Sequence, residues 1–267
     1  MPVVEYEKKA RVAYIGLNRP DAMNALNPEV GQALTEVFTD VERDDDILVV
    51  ILSGNGGKAF CAGMDLKWRA QEDAAGHEIS VDNMPNLGFQ AVQSCSKPII
   101  AAIDGFCLAG GMQMASRCDI RVATEASRFG MPEARRALTA VGLVDTPEVF
   151  FPPGEAAHIL LTGAHYPAKR AYEMGFLQAL LPDRDSMLAS ADSIANEIKQ
   201  CAPLAVAAIK AVLKTKLDMP TPPTGKSTLA HLLEVNSDRL ERNASSEDRL
   251  EGPLAFAEKR LPNWKNR

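Results

Sequence analysis

Gly110 and Gly111 stand just before an apolar stretch that is predicted to be helical, and a buried strand is predicted over residues 99–103 from its length and β-branching. Small residues at a strand-to-helix junction let the backbone approach a ligand closely. They also leave N–H groups at the start of the helix without intrahelical partners. Such groups could hold an anion, or an oxygen that becomes negative during a reaction. A tight turn in which the glycines serve packing alone remains the alternative.

A second junction with small residues lies upstream, in the segment KAFCAGMDLK at residues 58–67. The chain therefore presents backbone N–H groups in two separate loops, around Met64 and around Gly110. If the loops face each other, the two donors form an oxyanion hole for an enolate or a tetrahedral intermediate, where losing one donor costs about 2.7–4 kcal/mol. Backbone donors need no particular side chain, which accounts for small neighbours in place of a signature residue.

The elements that must position these loops alternate between strands and helices in the first part of the chain. Residues 12–17, with Val3 and Val4 before them, predict an antiparallel β opening. Asn27 followed by Pro28 predicts the start of a helix. The further predicted elements are strands at 47–52 and 121–123, a helix at 89–95, a mobile segment at 70–88, and helices at 154–162, 167–174, 184–200, 203–217, 226–242 and 246–260. This order predicts an α/β protein whose last part is helical.

Length and composition bound the class of protein. With 267 residues, the chain is long enough for one large α/β domain, alone or with a small appendage. A formal net charge of −6 argues against a nucleic-acid or anionic-membrane partner, and no apolar run approaches the ~18 residues of a membrane span. The first residues carry acids without an apolar signal core, so we expect a cytoplasmic protein with reduced thiols on its five cysteines. The four histidines are scattered, and no metal site is expected.

Several motifs resemble those of the crotonase (enoyl-CoA hydratase/isomerase) superfamily along almost the whole chain. They are NRPDAMNALN, AFCAGMDL, KPIIAAIDGFCLAGGMQMASRCDIRVA, RFGMPEARRAL and GPLAFAEKRLPNW. The resemblance implies a spiral of ββα units with a helical C-terminal region, divided into a core at residues 1–200 and a trimerisation region at residues 201–267. It also implies an acyl-CoA thioester as substrate, with coenzyme A as part of that substrate and no separate cofactor, and assembly into a homotrimer or hexamer.

The resemblance assigns roles to individual residues. It implies that the N–H groups of Met64 and Gly110 hold the thioester oxygen. The other residues that it places along the CoA moiety are Ala62, Asp65, Leu66 and Lys67. Phe256 and Lys259 match a C-terminal segment that can reach the CoA bound to a neighbouring subunit. For Lys259, a solvated helix charge is the alternative.

The catalytic positions depart from the family pattern. Family hydratases use one glutamate three residues after the oxyanion-hole glycine and a second one twenty residues later. In this chain those positions hold Gln113 and Glu133. An amide can hydrogen-bond a water or the substrate, but it cannot transfer a proton as a carboxylate does. Glu133 is therefore the expected acid/base. The structural alternatives are a polar residue tolerated at a helix start for Gln113 and an acid complementing a helix dipole for Glu133.

A single carboxylate suits a 1,3-proton shift, in which Glu133 takes a proton beside the thioester and returns it two carbons away. The sequence therefore predicts first the isomerisation of a 3-enoyl-CoA to a 2-enoyl-CoA. A 2-enoyl-CoA hydratase in which Gln113 orients water, and a non-catalytic acyl-CoA binder, are the alternatives. The loop after Glu133 also departs from the family's Gly-rich turn. Within it, Asp145 is either a second acid or a helix cap ahead of Pro147.

Overall fold

Two β-sheets and a set of packed helices make up the part of the chain described by the computed structural model, which covers residues 1–77, 79, 83–136, 138, 151–218 and 227–267. The strands are β1 (Val4–Lys9), β2 (Val12–Leu17), β3 (Val49–Gly54), β4 (Ala59–Cys61), β5 (Ile99–Ile103), β6 (Phe106–Leu108), β7 (Ile120–Thr124), β8 (Arg128–Gly130), β9 (His165–Pro167) and β10 (Ala179–Leu181). The helices are α1 (Pro28–Arg43), α2 (Leu66–Ala74), α3 (Phe89–Ser94), α4 (Gly110–Ser116), α5 (Pro153–Thr162), α6 (Ala168–Glu173), α7 (Arg184–Lys199), α8 (Pro203–Asp218), α9 (Thr228–Val235), α10 (Ser237–Ala244) and α11 (Asp248–Ala257). Two 3₁₀ turns lie at Pro20–Ala22 and Pro132–Arg136.

In the middle of the chain, successive strands alternate between the two sheets. The larger sheet has the order β1-β2-β3-β5-β7-β10, and the smaller sheet has the order β4-β6-β8-β9. From β3 to β8, each strand of the larger sheet is followed along the chain by a strand of the smaller one, and each return adds the next parallel strand. Helices follow β4 and β6 before the chain returns to the larger sheet. The result is a spiral of ββα units.

The larger sheet is covered on both faces, as parallel strands with continuous apolar runs require. All five residues of β5 are buried. Ile99, Ala101 and Ile103 face a core that includes α1 and the smaller sheet. The alternating residues Ile100 and Ala102 face a second core that includes α7. Loops at the strand ends are therefore carried by a rigid scaffold.

Most of the predicted elements are confirmed. β1 and β2 pair antiparallel, and the side chain of Asn27 caps α1 by accepting a hydrogen bond from the N–H of Val30 at 3.0 Å. The helices predicted near residues 89, 154, 167, 184, 203 and 246 are all present, with ends within a few residues of those expected. Among the described residues, no helix is both long and apolar enough to cross a bilayer.

Three details differ from the prediction. The helix predicted over residues 226–242 is wrong, because α9 and α10 are separated by Asn236, whose side-chain amide donates to the Leu232 carbonyl at 2.8 Å. Residues 70–74 of the predicted mobile segment continue α2. The strands β9 and β10 lie in the half predicted to be helical, and three residues are too few to produce a periodic signal. The division at residue 200 and the trimerisation role of residues 201–267 stay predictions.

Candidate active site

Three loops of the candidate site lie side by side because three neighbouring strands of the smaller sheet run parallel. β6 pairs in parallel with β4 on one side and with β8 on the other. Their carboxyl ends therefore meet at one edge of the sheet, which is where ligand sites form in parallel sheets. The residues that follow these ends include Met64 after β4, Gly110 after β6 and Glu133 after β8.

In the loop after β4, one backbone N–H group has no hydrogen-bond acceptor among the described residues. The N–H of Ala62 donates to the Met23 carbonyl at 3.1 Å, and the N–H of Asp65 donates to the Leu26 carbonyl at 2.8 Å. The N–H of Gly63 donates to the Cys61 sulfur at 3.4 Å. Among the described residues, the N–H of Met64 alone in this loop has no acceptor. Because each backbone N–H is a hydrogen-bond donor, this group is available to a ligand.

The loop after β6 presents its donor beside the first. Gly110 is the first residue of α4, so its N–H has no intrahelical partner, and the described part of the chain supplies no other acceptor. Ala109 before it has φ +52° and ψ −126°, an unusual conformation for a residue with a side chain. A Cβ added to Gly63 would lie 3.1 Å from the Gly110 nitrogen and 2.6 Å from the Ala109 Cβ. The two loops therefore touch, and glycine at position 63 makes that contact possible.

Glu133 contributes the carboxylate. It lies in the 3₁₀ turn after β8, only 7% exposed, and none of the described residues donates a hydrogen bond to either carboxylate oxygen. Burial raises the pKa of Glu133, and the nearby N–H of its own backbone and the positive charge of Arg136 oppose that rise without cancelling it. Burying a carboxylate that accepts no hydrogen bond destabilises a fold, so folding by itself does not account for this residue. A raised pKa suits a group that takes up and releases protons in a reaction.

Gln113 lies on the first turn of α4, three residues after Gly110, and is buried. Its backbone carbonyl accepts hydrogen bonds from Ser116 Oγ at 2.7 Å and from Arg117 Nη1 at 3.1 Å. Gln113 and Glu133 thus both follow the carboxyl ends of neighbouring parallel strands, β6 and β8. Together the three loops supply two hydrogen-bond donors, one carboxylate and one amide, which suits an oxygen that becomes negative while a neighbouring carbon loses a proton. In the ranges covered by the structure, no three His, Cys, Asp or Glu side chains are placed to hold a metal ion.

The family model for enoyl-CoA hydratase/isomerase matches residues 7–267. The chain belongs to the enoyl-CoA hydratase/isomerase family. The predicted family and its spiral fold are confirmed, and the family acts on acyl-CoA thioesters.

Relatives of known name and structure agree with this assignment. The chain is 36% identical to enoyl-CoA hydratase EchA19 of Mycobacterium tuberculosis over 98% of its own length and 96% of that protein. It is 32% identical to carnitinyl-CoA dehydratase of Salmonella typhi over 95% of its own length and 94% of that protein. The crystal structure of an enoyl-CoA hydratase from Mycobacterium tuberculosis H37Rv matches with a TM-score of 0.85 at 36% identity, covering 100% of both chains. These names are hydratase and dehydratase, so the predicted isomerase preference is not confirmed.

The residues that the family resemblance places along CoA run from the site to the surface. Ala62 is half-buried beside Met64, whereas Leu66 is 44% exposed and Lys67 is exposed. Asp65 has structural bonds of its own, because one carboxylate oxygen accepts from the N–H groups of Lys67 and Trp68 and thereby caps α2. The contact of this segment with CoA stays a prediction.

The structure of one chain does not bring Phe256 or Lys259 into the site. Phe256 lies near the end of α11 and is 86% exposed, so its side chain contacts little of its own chain. Lys259 follows α11 in a left-handed conformation with φ +53°. A role for either at the CoA of a neighbouring subunit stays a prediction. Asp145, the possible second acid, lies outside the described residues.

Sequence reasoning missed residues that hold the site together. Arg19, in the turn NRPD, donates to the Asp65 carboxylate in the loop after β4, and the Cys61 sulfur accepts the N–H of Gly63. The positive charge of Arg136 lowers the pKa of Glu133. These contacts join segments far apart in the chain or depend on loop geometry, and an arginine in a turn gives no chemical signal by itself. The spacing from Glu133 to Arg136 in the motif MPEARR was the one available hint.

Proposed function

We propose that the protein moves a proton at the carbon next to an acyl-CoA thioester, with Glu133 as the acid/base and the N–H groups of Met64 and Gly110 as the oxyanion hole. The observation that carries this proposal is the buried carboxylate of Glu133 on the sheet edge where the N–H groups of Met64 and Gly110 also lie, since none of the three groups has a hydrogen-bond partner among the described residues. Acidity at that carbon depends on charge developing on the thioester oxygen, which fixed donors stabilise far more than water does.

The first reaction that we propose is isomerisation of a 3-enoyl-CoA to a 2-enoyl-CoA. Glu133 takes a proton from C2, and the electron pair spreads into a dienolate whose oxygen rests on Met64 and Gly110. The protonated Glu133 then returns the proton to C4, and the double bond moves from C3–C4 to C2–C3. One carboxylate serves both steps, so the amide at Gln113 is no obstacle.

The second candidate is hydration of a 2-enoyl-CoA, or the reverse dehydration. Two observations favour it: the similar proteins bear hydratase and dehydratase names, and the buried amide of Gln113 could orient a water molecule. Because an amide does not transfer protons, Glu133 would then handle every proton, and we expect a slower reaction than two carboxylates provide. A non-catalytic acyl-CoA binder is the third possibility.

Two spectrophotometric assays on the purified protein separate these candidates. Conjugation of a double bond to the thioester creates an ultraviolet absorbance, and hydration removes it. A rising absorbance with a 3-enoyl-CoA supports the isomerase, and a falling absorbance with a 2-enoyl-CoA supports the hydratase. Glu133→Gln should abolish either signal, whereas unchanged turnover in that variant would refute the role of Glu133. If neither assay shows a change in absorbance although the protein binds acyl-CoA, the non-catalytic binder is supported.

We also propose that the protein works in the cytoplasm as a homotrimer or hexamer. The cytoplasmic location is supported by five free cysteines, of which all but Cys201 are buried. Assembly is supported by large apolar side chains that are exposed on the C-terminal helices of a single chain; they include Leu213, Leu229, Leu250, Leu254 and Phe256. Sedimentation velocity tests the oligomeric state, and a monomer at micromolar concentration would refute it.

A further inference from the structure

Arg19 connects two segments that together hold the Met64 donor. Its Nη2 pairs with the Asp65 carboxylate at 2.9 Å, and its Nη1 donates to the Ala25 carbonyl at 2.7 Å. The side chains of Arg19 and Asp65 are 21% and 12% exposed, so the pair is largely withdrawn from solvent. Ion pairs of this kind, with a forked guanidinium holding two acceptors, fix geometry more firmly than surface pairs do.

The two segments that Arg19 joins are paired along their backbones. The Leu26 N–H donates to the Gly63 carbonyl at 2.8 Å, and the Asp65 N–H donates to the Leu26 carbonyl at 2.8 Å. These bonds form an isolated parallel bridge between Leu26 and Met64. Arg19 adds a side-chain link from the Ala25 carbonyl on one segment to Asp65 on the other. Met64 therefore sits inside a closed set of bonds, which fixes the direction of its N–H.

The backbone of Arg19 is also held in place by hydrogen bonds. Its backbone N–H donates to Asn24 Oδ1 at 2.8 Å, and Asn24 Nδ2 donates to the carbonyls of Asn55 at 3.0 Å and Ala59 at 2.7 Å. Ala59 is the first residue of β4, the strand that leads into the Met64 loop. The turn that carries Arg19 and the strand that carries Met64 are thus parts of one bonded unit.

Arg19 also compensates a charge beside the site. Burial works against ionisation of Asp65, but the hydrogen bonds from Arg19 and from the Trp68 N–H outweigh it and lower the pKa of the carboxyl group. Asp65 is therefore negative at neutral pH, directly after Met64 in the chain. Without Arg19, this carboxylate would raise the energy of a second negative charge developing on an oxygen held by Met64.

We propose that Arg19 is a positioning residue of this enzyme. It acts through Asp65, by holding the Met64 N–H in the direction of the thioester oxygen and by cancelling the Asp65 charge. This inference rests on the proposed function, since it assumes that Met64 is an oxyanion donor. Removal of Arg19 should therefore lower the rate of the chemical step more than it weakens substrate binding.

The test compares Arg19→Met, Arg19→Lys, Asp65→Asn and the double variant Arg19→Met/Asp65→Asn with the wild type. A 1 Å displacement of a positioning group costs about a hundredfold, so we expect kcat of Arg19→Met to fall roughly ten- to a hundredfold with KM changed only a few-fold. Arg19→Lys should recover part of that loss, because lysine restores the charge but not the fork. The double variant should be more active than Arg19→Met, since asparagine still caps the helix and removes the uncompensated charge.

Arg184 provides a matched control. Its Nη1 likewise donates to a carbonyl, that of Gly54 at 3.0 Å, and faces a carboxylate, that of Asp104 at 3.5 Å. Its side chain is 32% exposed, and Asp104 precedes β6, at the end of that strand away from Gly110. Arg184→Met should lower the melting temperature by an amount similar to Arg19→Met while leaving kcat within about twofold.

A spectroscopic signal separates positioning from general damage. A conjugated 2-enoyl-CoA absorbs at longer wavelength when hydrogen bonds polarise its carbonyl, so the bound ligand should show a red shift in the wild type, a smaller one in Arg19→Met and a full one in Arg184→Met. An active wild type whose kcat and red shift survive Arg19→Met and Arg19→Lys would overturn the inference and leave the proposed function standing. A wild type inactive on both enoyl-CoA substrates would overturn the proposed function and the inference with it.

Discussion

Replacing Gly63 by alanine tests the geometry of the two donors. The added Cβ would lie 2.6 Å from the Ala109 Cβ and 3.1 Å from the Gly110 nitrogen. Since carbon atoms pack at about 3.5–4.0 Å, the two loops must separate by roughly 1 Å. A misplacement of that size costs about a hundredfold in rate, which corresponds to about 2.7 kcal/mol in the barrier. We therefore expect kcat to fall about a hundredfold in whichever enoyl-CoA assay is positive.

Gly63 also has a φ of +92°, which strains any residue with a side chain by about 1–3 kcal/mol, so a loss of stability must be separated from a loss of alignment. Gly175→Ala is the matched control: Gly175 has a φ of +84°, and an added Cβ there would meet nothing within 4 Å. Both variants should melt at lower temperature, but Gly175→Ala should retain kcat within about twofold. Equal kcat in the two variants at a temperature where both are folded would refute the argument that the contact between the loops aligns the donors.

Three further predictions concern the side chains of the site. The folded-state pKa of Glu133 is raised by burial, so the folded protein binds this proton more tightly than the unfolded chain, and stability is lost as the pH rises through that pKa. Glu133→Gln should therefore abolish activity and raise the melting temperature near neutral pH by about 2–4 °C for each kcal/mol of stability gained. The gain in stability should vanish in acid. A lower melting temperature of the variant at pH 8 would contradict the claim that the ionised Glu133 carboxylate destabilises the fold. Because the base must be ionised, kcat/KM should fall in acid through a pKa above the usual glutamate range. Arg136→Met should move this fall in kcat/KM to higher pH, since the positive charge of Arg136 lowers the pKa of Glu133. A variant whose kcat/KM falls at the same pH as that of the wild type would contradict this. Gln113→Glu should raise the rate of 2-enoyl-CoA hydration, and a folded variant without any gain would show that Gln113 does not limit hydration.

The strand-to-helix junctions were predictable because their signals are local. Short apolar runs followed by glycine marked the loops at Met64 and Gly110 without knowledge of the fold. The capped start of α1 at Asn27 was equally local. That the loops are neighbours was not predictable from these signals, because it depends on β4 and β6 pairing in parallel across more than forty residues of chain. The family resemblance supplied that information.

Other features depend on contacts that leave no trace in local sequence. The Arg19–Asp65 pair joins residues 46 positions apart, and neither the turn around Arg19 nor the helix cap at Asp65 indicates the other. The same holds for β10, whose three residues form a strand only because β7 offers a free edge. Asn236, by contrast, acts through a local contact. Its side chain competes for the carbonyl of Leu232, four residues earlier, and one predicted helix is divided into two.

The most direct test of the central claim is exchange of the C2 protons of a saturated acyl-CoA in D₂O, followed by mass spectrometry. A saturated acyl chain can be neither isomerised nor hydrated, so exchange reports only proton removal by a base beside a stabilised enolate. We predict that the wild type incorporates deuterium at C2 and that Glu133→Gln slows incorporation by about 10²–10⁴-fold, the usual contribution of a positioned acid/base. Exchange at the wild-type rate in Glu133→Gln, or no exchange in a wild type that binds the acyl-CoA, would contradict the account.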